Sequence, residues 1–392
     1  VLSRHMNSSD CINCPHTLGS ISNHMWNRPP ENSLLALKHG MDFSDGVEFD
    51  LRMDADGELV IYHDEALPTH GTLSSRCIEN MHTSKLKEEG VLTFQEIIDD
   101  REFLEKWQSG CKTVDIEIKM PHPVVGKSHN EYLQSIMKKI TIMTQDLLLT
   151  PRSTIVSSFS PGIAKASAEC NFGIPVTQLV PKIRPWGRHW RVKKMFAIPQ
   201  FFMTSVPSIA KKFRDDGMNS VGMALEYVSG WERHARLGRV VGLKGEGLVR
   251  LHQSLRGMGA FVWPGPLHLE AQLLDAGISI VTDHMNPDVI TKPDGTYRWP
   301  RPASQPLDEE WSRRLSDSSP ADLGDLMVEA RSSLPIWTEM DEDRKSRIIL
   351  EQGRRMNWEG SENSWLSDLE NGIPWGSPRI IGHRGAGKTL RK

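Results

Sequence analysis

Short apolar runs alternate along residues 17–290 with longer stretches of helical periodicity. Apolar runs of this length, separated by amphipathic sequence, are typical of buried strands in a parallel sheet covered by helices. The predicted strands are Val47–Leu51, Leu59–Tyr62, Val114–Ile118, Thr154–Ser157, Ile174–Val180, Ala260–Trp263 and Ile278–Val281. The helices predicted between them include Ser33–His39, Thr93–Phe103, Glu131–Thr144 and Leu267–Asp275.

Seven or eight strand–helix units in this length predict an α/β fold, a closed (β/α)8 TIM barrel over residues 17–290. An open, doubly wound sheet is the alternative. Its first strand normally leads into a glycine-rich turn, and residues 21–30 contain no glycine. The pattern therefore favours the barrel.

The composition changes after Pro287. Residues 291–306 contain four prolines and no clear period, which predicts a linker. Residues 307–377 predict a helical appendage, and six of the twelve tryptophans lie in the last quarter of the chain, which indicates a packed unit. Its predicted helices are Leu307–Ser316, Ala321–Ser332, Glu342–Met356 and Ser364–Glu370. Residues 1–16 are assigned to an N-terminal extension.

Composition narrows the function classes. The 392 residues carry 47 Lys and Arg against 50 Asp and Glu, a net charge of −3, which excludes a surface built throughout for nucleic acid. No apolar run approaches the ~20 residues that span a bilayer, and residues 1–10 lack the apolar core of a secretory signal. Five scattered cysteines form no disulfide framework and predict a cytoplasmic protein. Cys11 and Cys14 have the spacing of half a zinc site, but no second pair accompanies them.

Acidic and basic side chains follow the predicted strands at alternate positions. Glu48 and Asp50 are two residues apart, so they point to the same face, and the same holds for Glu117 and Lys119. His63 directly follows the second predicted strand. In a parallel barrel these groups converge at the carboxyl ends of the strands, where active sites lie. Carboxylates in such a place suit a hard cation, Mg²⁺ or Ca²⁺, and metal-assisted phosphoester chemistry.

Several of these residues belong to a pattern that resembles one family. The matching segments, in order, are Pro30-Glu31-Asn32-Ser33, Val47-Glu48-Phe49-Asp50, Asp56-Gly57, His63-Asp64, Ile116-Glu117-Ile118-Lys119, Ser157-Ser158-Phe159-Ser160-Pro161, Val262-Trp263 and Gly277-Ile278-Ser279-Ile280-Val281-Thr282-Asp283. They resemble the glycerophosphodiester phosphodiesterase family, over roughly residues 17–290. The resemblance implies a TIM barrel, one divalent cation, and hydrolysis of glycerophosphodiesters to glycerol 3-phosphate and an alcohol, within glycerol and lipid metabolism.

The resemblance also implies roles for individual residues. Glu48, Asp50 and Glu117 would hold the cation. His63 would be one of two acid–base histidines, Lys119 would contact the phosphate, and Trp263 would line the substrate site. The attacking group in the family is the substrate's own hydroxyl, which gives a cyclic phosphate that is then hydrolysed. Glu31 would either cap the helix that starts near Ser33 or support the metal and substrate site.

The first strand departs from the family pattern. The family's first strand ends in His-Arg-Gly, and here the corresponding sequence is His24-Met25-Trp26, followed by Arg28. We expect His24 to be the second catalytic histidine and Arg28 to bind the phosphate from a shifted position. Loss of the Arg-Gly pair also leaves open a catalytically degenerate barrel that binds phosphoesters or acts as a scaffold.

An intact His383-Arg384-Gly385 occurs instead in the tail, residues 378–392. We expect this tail to be the start of a second, truncated phosphodiesterase domain. The alternative is that it folds back and supplies the missing arginine to the first barrel. The same tail matches a P-loop string ending in Lys388-Thr389, but a P-loop requires a following helix, and only three residues remain.

The segment Lys182–Lys194 contains six basic residues and two tryptophans. It follows a predicted strand, so in a barrel it would leave at the active-site face. A solvated loop is one interpretation. The other is a lid that contacts an anionic membrane surface, with a lysophospholipid-type substrate. No nucleic-acid partner is expected, and the oligomeric state is not predicted.

Overall fold

Strands and helices alternate along the chain as the hydrophobic pattern predicts. The computed structural model describes residues 26–183, 190–229, 240–367 and 369–389. The strands β1 to β10 are Gly46–Met53, Leu59–Ile61, Leu92–Thr93, Thr113–Ile118, Thr154–Ser158, Val176–Val180, Ser220–Ala224, Gly259–Trp263, Ser279–Thr282 and Ile380–Gly382.

The α-helices of the described residues, α1 to α16, are Leu34–Phe43, Leu73–Arg76, Thr83–Glu88, Phe94–Asp99, Arg101–Gln108, His129–Thr144, Ile163–Glu169, Trp190–Met203, Val206–Asp215, Glu226–Ser229, Gly245–Leu255, Glu270–Asp275, Glu309–Asp317, Leu323–Ser333, Glu342–Arg354 and Ser361–Leu366. Short 3-10 turns occupy Ile78–Asn80, Pro123–Val125, Leu267–Leu269, Trp337–Glu339 and Leu369–Asn371. No helix among these described residues is both long and apolar enough to cross a membrane.

Eight parallel strands close into a ring, which confirms the (β/α)8 barrel. The ring runs β1, β4, β5, β6, β7, β8, β9 and β10, and β10 pairs again with β1. The short antiparallel strands β2 and β3 extend the sheet from the end of β1. Along β1, Val47, Phe49 and Leu51 belong to the core between strands and helices. Side chains alternate along a strand, so Glu48 and Asp50 point into the barrel.

The tail closes this ring. Ile381 of β10 pairs in parallel register with Gly46 of β1 and Val281 of β9. The first and last strands of a closed barrel are neighbours, so either end of a chain can supply the closing strand. The structure therefore differs from the expectation of a separate domain start: residues 380–385 belong to the first barrel, as the fold-back alternative has it.

Residues 297–306 of the predicted linker are buried or half-buried, whereas residues 293–296 are exposed. Arg298 is buried and its Nε lies 3.0 Å from Oε1 of Glu270. The Ser304 amide and hydroxyl both donate to Asp45, each at 2.7 Å. Asp45 directly precedes β1, so this segment lies at the amino end of the barrel. Buried polar contacts at this end fix a segment whose proline content alone predicts a linker.

The four predicted helices of residues 307–377 are present within a few residues of their predicted limits. Their apolar faces form two small cores, one around Trp311 and Leu315 and the other around Trp337 and Trp365. The second core includes Cys111, which lies just before β4. The helical appendage thus packs at the amino end of the barrel and leads the chain from β9 to the start of β10.

Candidate active site

Three carboxylates meet inside the barrel. Asp50 of β1 stands directly opposite Glu117 of β4 in the parallel register, and Glu48 is the next inward residue of β1. One oxygen from each lies within 4.8 Å of the others, and all three residues are buried. The sequence places these side chains on alternate positions, and the β1–β4 register brings them together.

Burial raises the free energy of ionising these three carboxyl groups. Desolvation, with repulsion from Asp50 and Glu117, raises the pKa of Glu48 well above its ordinary value. Burial also opposes ionisation of Asp50, but the charges of Lys119 and Arg384 outweigh it and hold the Asp50 pKa well below the usual range. The Nζ of Lys119 lies 2.9 Å from Asp50 Oδ1 and also contacts Glu117. Ionising all three carboxylates together therefore requires positive charge in addition to that of Lys119 and Arg384.

The donor set fits a divalent cation. Oε1 of Glu48 is buried and has no hydrogen-bond partner among the described residues. An unsatisfied buried carboxylate oxygen costs free energy unless a cation compensates it. All three ligands are carboxylates, which Mg²⁺ and Ca²⁺ prefer. These observations fit the predicted metal ligands and do not choose between the two ions.

His383 follows β10 at the mouth of the barrel. Its Nδ1 donates to Oδ1 of Asp283 at 2.7 Å, and its Nε2 lies 3.8 Å from Oε2 of Glu48. Asp283 follows β9, the neighbour of β10, so the register of these two strands creates the pair. Burial lowers the pKa of His383, although Asp283 raises it in part. The imidazole is therefore neutral near pH 7, with Nδ1 protonated and Nε2 free to accept a proton.

The backbone after His383 turns sharply toward the carboxylates. Arg384 has a φ of 50°, and its amide donates to Glu48 Oε2 at 2.9 Å. Gly385 has a φ of 84°, and a Cβ there would lie 2.4 Å from the backbone of Ala36 in α1. Only glycine permits this close approach. The path of the backbone thus requires Gly385, while Arg384 contributes charge beside the carboxylates.

The side chains of Glu31 and Asn32 hold Arg384 and Asp50 in place. Oε1 of Glu31 accepts from Nη1 of Arg384 at 3.0 Å, and Oε2 accepts from the amide of Thr389 at 3.0 Å. The Asn32 side chain donates to Asp50 Oδ2 at 2.8 Å. Glu31 does not cap α1, because the hydroxyl of Ser33 accepts from Ala36 and takes that place.

His63 lies two residues after β2, at the mouth of the barrel. Its Nδ1 donates to Oδ1 of the adjacent Asp64 at 2.7 Å. Burial, with the charges of Arg384 and Lys119, lowers the pKa of His63 well below its ordinary value. Both histidines of the described site therefore have one nitrogen fixed by a carboxylate, which sets the tautomer and the ring orientation.

Trp263, Arg28 and His24 are the remaining predicted site residues. Trp263 ends β8 and packs edge-on against Phe159, with ring centroids 5.2 Å apart. The two terminal nitrogens of Arg28 donate to backbone carbonyls, and its phosphate role stays a prediction. His24, the cysteine pair of residues 11 and 14, and residues 184–189 of the basic segment lie outside the described residues.

Sequence reasoning noticed His383 and Arg384 but assigned them to another domain, and it quoted Asp283 and Asn32 only as parts of motifs. The signal that would have placed them was available. The intact motif follows the apolar pair Ile380-Ile381, and a strand there can close the ring between β9 and β1. Ring closure therefore points to His383 in preference to His24.

The pH dependence of stability tests the charge inside the barrel. Burial raises the pKa of Asp115 to about 7, against ~3.9 in an unfolded chain. A raised folded-state pKa means that the folded chain binds more protons, so the free energy of unfolding falls as the pH rises from about 4 to about 7. Asp115→Asn is expected to remove this component in EDTA. It amounts to at most about 4 kcal/mol, since one pKa unit corresponds to ~1.4 kcal/mol. Urea unfolding of both proteins at pH 5 and pH 7.5 measures the difference, and an equal fall in both would contradict the assignment.

A closed parallel barrel with three clustered carboxylates and two carboxylate-bound histidines at one mouth is suited to metal-assisted hydrolysis. The sequence model of the "Glycerophosphoryl diester phosphodiesterase family" matches residues 21–221, just over half of the chain. The chain belongs to this family and is an enzyme of the phosphoric diester hydrolase class.

Solved structures are similar at low identity. The glycerophosphodiester phosphodiesterase of Thermotoga maritima is 19% identical, with 66% of this chain and 88% of that chain covered and a TM-score of 0.42. A phosphodiesterase of Oleispira antarctica, in complex with the product sn-glycerol-3-phosphate, is 13% identical, with 65% and 85% covered and a TM-score of 0.42. A glycerophosphodiester phosphodiesterase of Parabacteroides distasonis is 16% identical, with 61% and 79% covered and a TM-score of 0.38. No curated protein matches significantly.

Proposed function

We propose that this chain hydrolyses glycerophosphodiesters to glycerol 3-phosphate and an alcohol, using His63 and His383 as the acid–base pair. The observation that carries the proposal is the position of His383. Its Nδ1 is fixed by Asp283, and its Nε2 lies 3.8 Å from the carboxylate of Glu48. That arrangement places a His-Arg-Gly sequence beside the carboxylates, which supports a catalytic site over the degenerate alternative.

The two histidines divide the proton transfers. One accepts the proton of the attacking glycerol hydroxyl, whose oxygen forms a bond to phosphorus. The other enters the cycle as the imidazolium, which the bound phosphodiester anion favours against the burial that lowers the pKa of both histidines in the free chain. It protonates the oxygen of the alcohol as its bond to phosphorus breaks. Water then opens the cyclic phosphate with the roles reversed. Carboxylate partners at Nδ1 keep each Nε2 available for this exchange.

Charge at the mouth suits a phosphodiester anion. Glu48, Asp50 and Glu117 would hold the cation, which would lower the pKa of a coordinated hydroxyl and offset phosphoryl charge. Lys119 and Arg384 contact these carboxylates and present fixed positive charge beside the place where the phosphate must lie. Preorganised charge of this kind favours the transition state because it needs no reorganisation.

A second candidate substrate class is a lysophospholipid at an anionic membrane surface, acting through the segment Lys182–Lys194. One observation favours it. Helix α8 carries four exposed apolar side chains, with exposed fractions between 38 and 76%: Met195, Ile198, Phe202 and Met203. The first three are spaced by three and four residues, so they form one stripe that the barrel does not cover. Basic sequence beside an exposed apolar stripe is typical of interfacial helices.

The cytoplasm remains the expected compartment of the protein, because the scattered cysteines do not predict a disulfide framework.

One assay separates these possibilities. Release of glycerol 3-phosphate from glycerophosphocholine and glycerophosphoethanolamine is measured with Mg²⁺, Ca²⁺ or EDTA, and lysophosphatidylcholine is tested with and without anionic vesicles. We expect metal-dependent turnover of the soluble diesters that EDTA abolishes. Activity confined to the lipid substrate, and raised by vesicles, would favour the membrane reading. Cation binding without turnover of any substrate would favour the degenerate, scaffold-type barrel and contradict the proposal.

A further inference from the structure

Arg28 joins two parts of the chain that lie far apart in sequence. Its Nη1 donates to the carbonyl oxygen of Lys388 at 2.5 Å, and its Nη2 donates to the carbonyl oxygen of Asp283 at 3.0 Å. Residues 28 and 388 are 360 positions apart. The guanidinium also lies over the ring of Trp26, 5.5 Å from its centroid. A planar fork with several N–H groups is well suited to hold two carbonyls in a fixed relation.

The two carbonyls belong to Asp283, which binds His383, and to Lys388, which binds Asp283. The carboxylate of Asp283 accepts from the His383 imidazole at 2.7 Å and from the Lys388 amide at 2.9 Å. Lys388 therefore contacts Asp283 through its amide and Arg28 through its carbonyl. Arg28, Asp283 and Lys388 form a closed ring of hydrogen bonds around the imidazole partner, and Arg28 itself does not contact the imidazole.

The order of the strands explains why such a contact is needed. Residues 383–389 and residues 28–32 form one continuous wall of the mouth, yet no short loop of backbone connects them. Arg384 and Thr389 donate to Glu31, and Arg28 donates to the carbonyl of Lys388. Non-covalent contacts must fix a geometry that a short covalent loop would otherwise restrict.

We propose that Arg28 is a positioning residue for His383. It fastens the segment after β10 to the segment before α1 and thereby fixes Asp283 and the imidazole that Asp283 orients. The effect of Arg28 on catalysis rests on the proposed function. The contacts by which Arg28 holds the backbone of residues 383–389 do not depend on it. This role replaces the phosphate contact that sequence alone predicts for Arg28.

The two roles differ in their kinetic signature. Loss of a ground-state phosphate ligand raises KM and leaves kcat nearly unchanged. Loss of a positioning residue lowers kcat because a misplacement of about 1 Å can cost ~100-fold. We therefore expect Arg28→Gln to lower kcat by about 10- to 100-fold with KM little changed. Arg28→Lys retains the charge but not the planar fork that joins the two carbonyls, so we expect it to recover only a small part of the loss.

Arg214 provides the matched control. Its Nη1 also donates to two backbone carbonyls, those of Ser254 and Leu255, but on the outer helices. Arg214→Gln is expected to leave kcat and KM unchanged.

Hydrogen exchange of residues 380–389, measured on the full chain without substrate, gives a readout independent of activity. We expect Arg28→Gln to accelerate exchange of the Gly387 and Lys388 amides, while Arg214→Gln does not. Unchanged exchange in Arg28→Gln, or a raised KM with an unchanged kcat, would overturn the proposal. If the wild-type chain hydrolyses no diester, the proposed function fails, and the exchange result still decides whether Arg28 fastens this segment.

Discussion

Replacing His383 by asparagine is expected to lower kcat for a glycerophosphodiester by about 10²- to 10⁴-fold, which is the usual contribution of a positioned acid–base group. Asparagine keeps a polar side chain that can still hydrogen-bond to Asp283, so the β10 segment retains its place in the barrel. His63→Asn is expected to cause a loss of the same order, because the two histidines act on opposite sides of one transfer. Steady-state kinetics of both variants, with circular dichroism to verify folding, measure these effects.

His24→Asn is the informative comparison. The first-strand pattern of the sequence points to His24, whereas the closed ring supplies His383 at the barrel mouth with its own carboxylate partner. We therefore expect His24→Asn to retain wild-type kcat. A large loss in His24→Asn together with full activity in His383→Asn would show that the tail is not the catalytic strand, and would restore the sequence-based assignment.

The strands show which parts of the fold local pattern can predict. Runs of branched apolar residues located β1, β4 and β5 correctly, since burial on both faces requires such residues. Strand β7, Ser-Val-Gly-Met-Ala, was not predicted. Its glycine packs beneath Leu179 and Phe261, where a Cβ would lie within 3 Å of both side chains. Small residues selected for tight packing do not produce an apolar run, so the periodicity signal is absent there.

Helix boundaries also show what a local sequence pattern fails to predict. The predicted helix Thr93–Phe103 is two helices, because the Asp100 side chain accepts from the Phe103 amide and starts a new one. Asp100 is visible in the sequence, but an aspartate inside an amphipathic stretch does not by itself indicate a cap. The acidic triad was predictable because alternation along β1 and β4 is local. The β10 contacts could be inferred only by asking which segment closes the ring, because the pairing of residue 381 with residue 46 is not a local property.

Glu48→Gln is expected to weaken Mg²⁺ or Ca²⁺ binding by more than about 100-fold and to abolish turnover. Loss of an outer-shell partner of a metal site already costs ~10- to 100-fold in affinity, and Glu48 belongs to the triad itself. Glutamine preserves the size of the side chain and an acceptor for the Arg384 amide, so the substitution removes mainly charge. Calorimetric titration of each metal into the metal-free chain measures the affinity.

The same variant is expected to change stability in opposite directions with and without metal. Burial and the neighbouring carboxylates raise the pKa of Glu48 well above its ordinary value, so its ionised form destabilises the metal-free fold. In EDTA at pH 8, Glu48→Gln should therefore unfold at a higher temperature than the wild type. With saturating Ca²⁺ the order should reverse, because only the wild type gains the binding free energy, ~2.7 kcal/mol at a concentration of 100 Kd.

Asp115→Asn is the control for this reversal. Asp115 lies in the same barrel interior and its buried carboxyl also has a raised pKa, but it is not one of the three clustered ligands. This variant should gain stability in EDTA, as Glu48→Gln does, and should still bind the cation with wild-type affinity. A Glu48→Gln chain that binds Ca²⁺ as tightly as the wild type would remove Glu48 from the metal site. The triad would then be a cluster of carboxylates compensated by Lys119 and Arg384 alone.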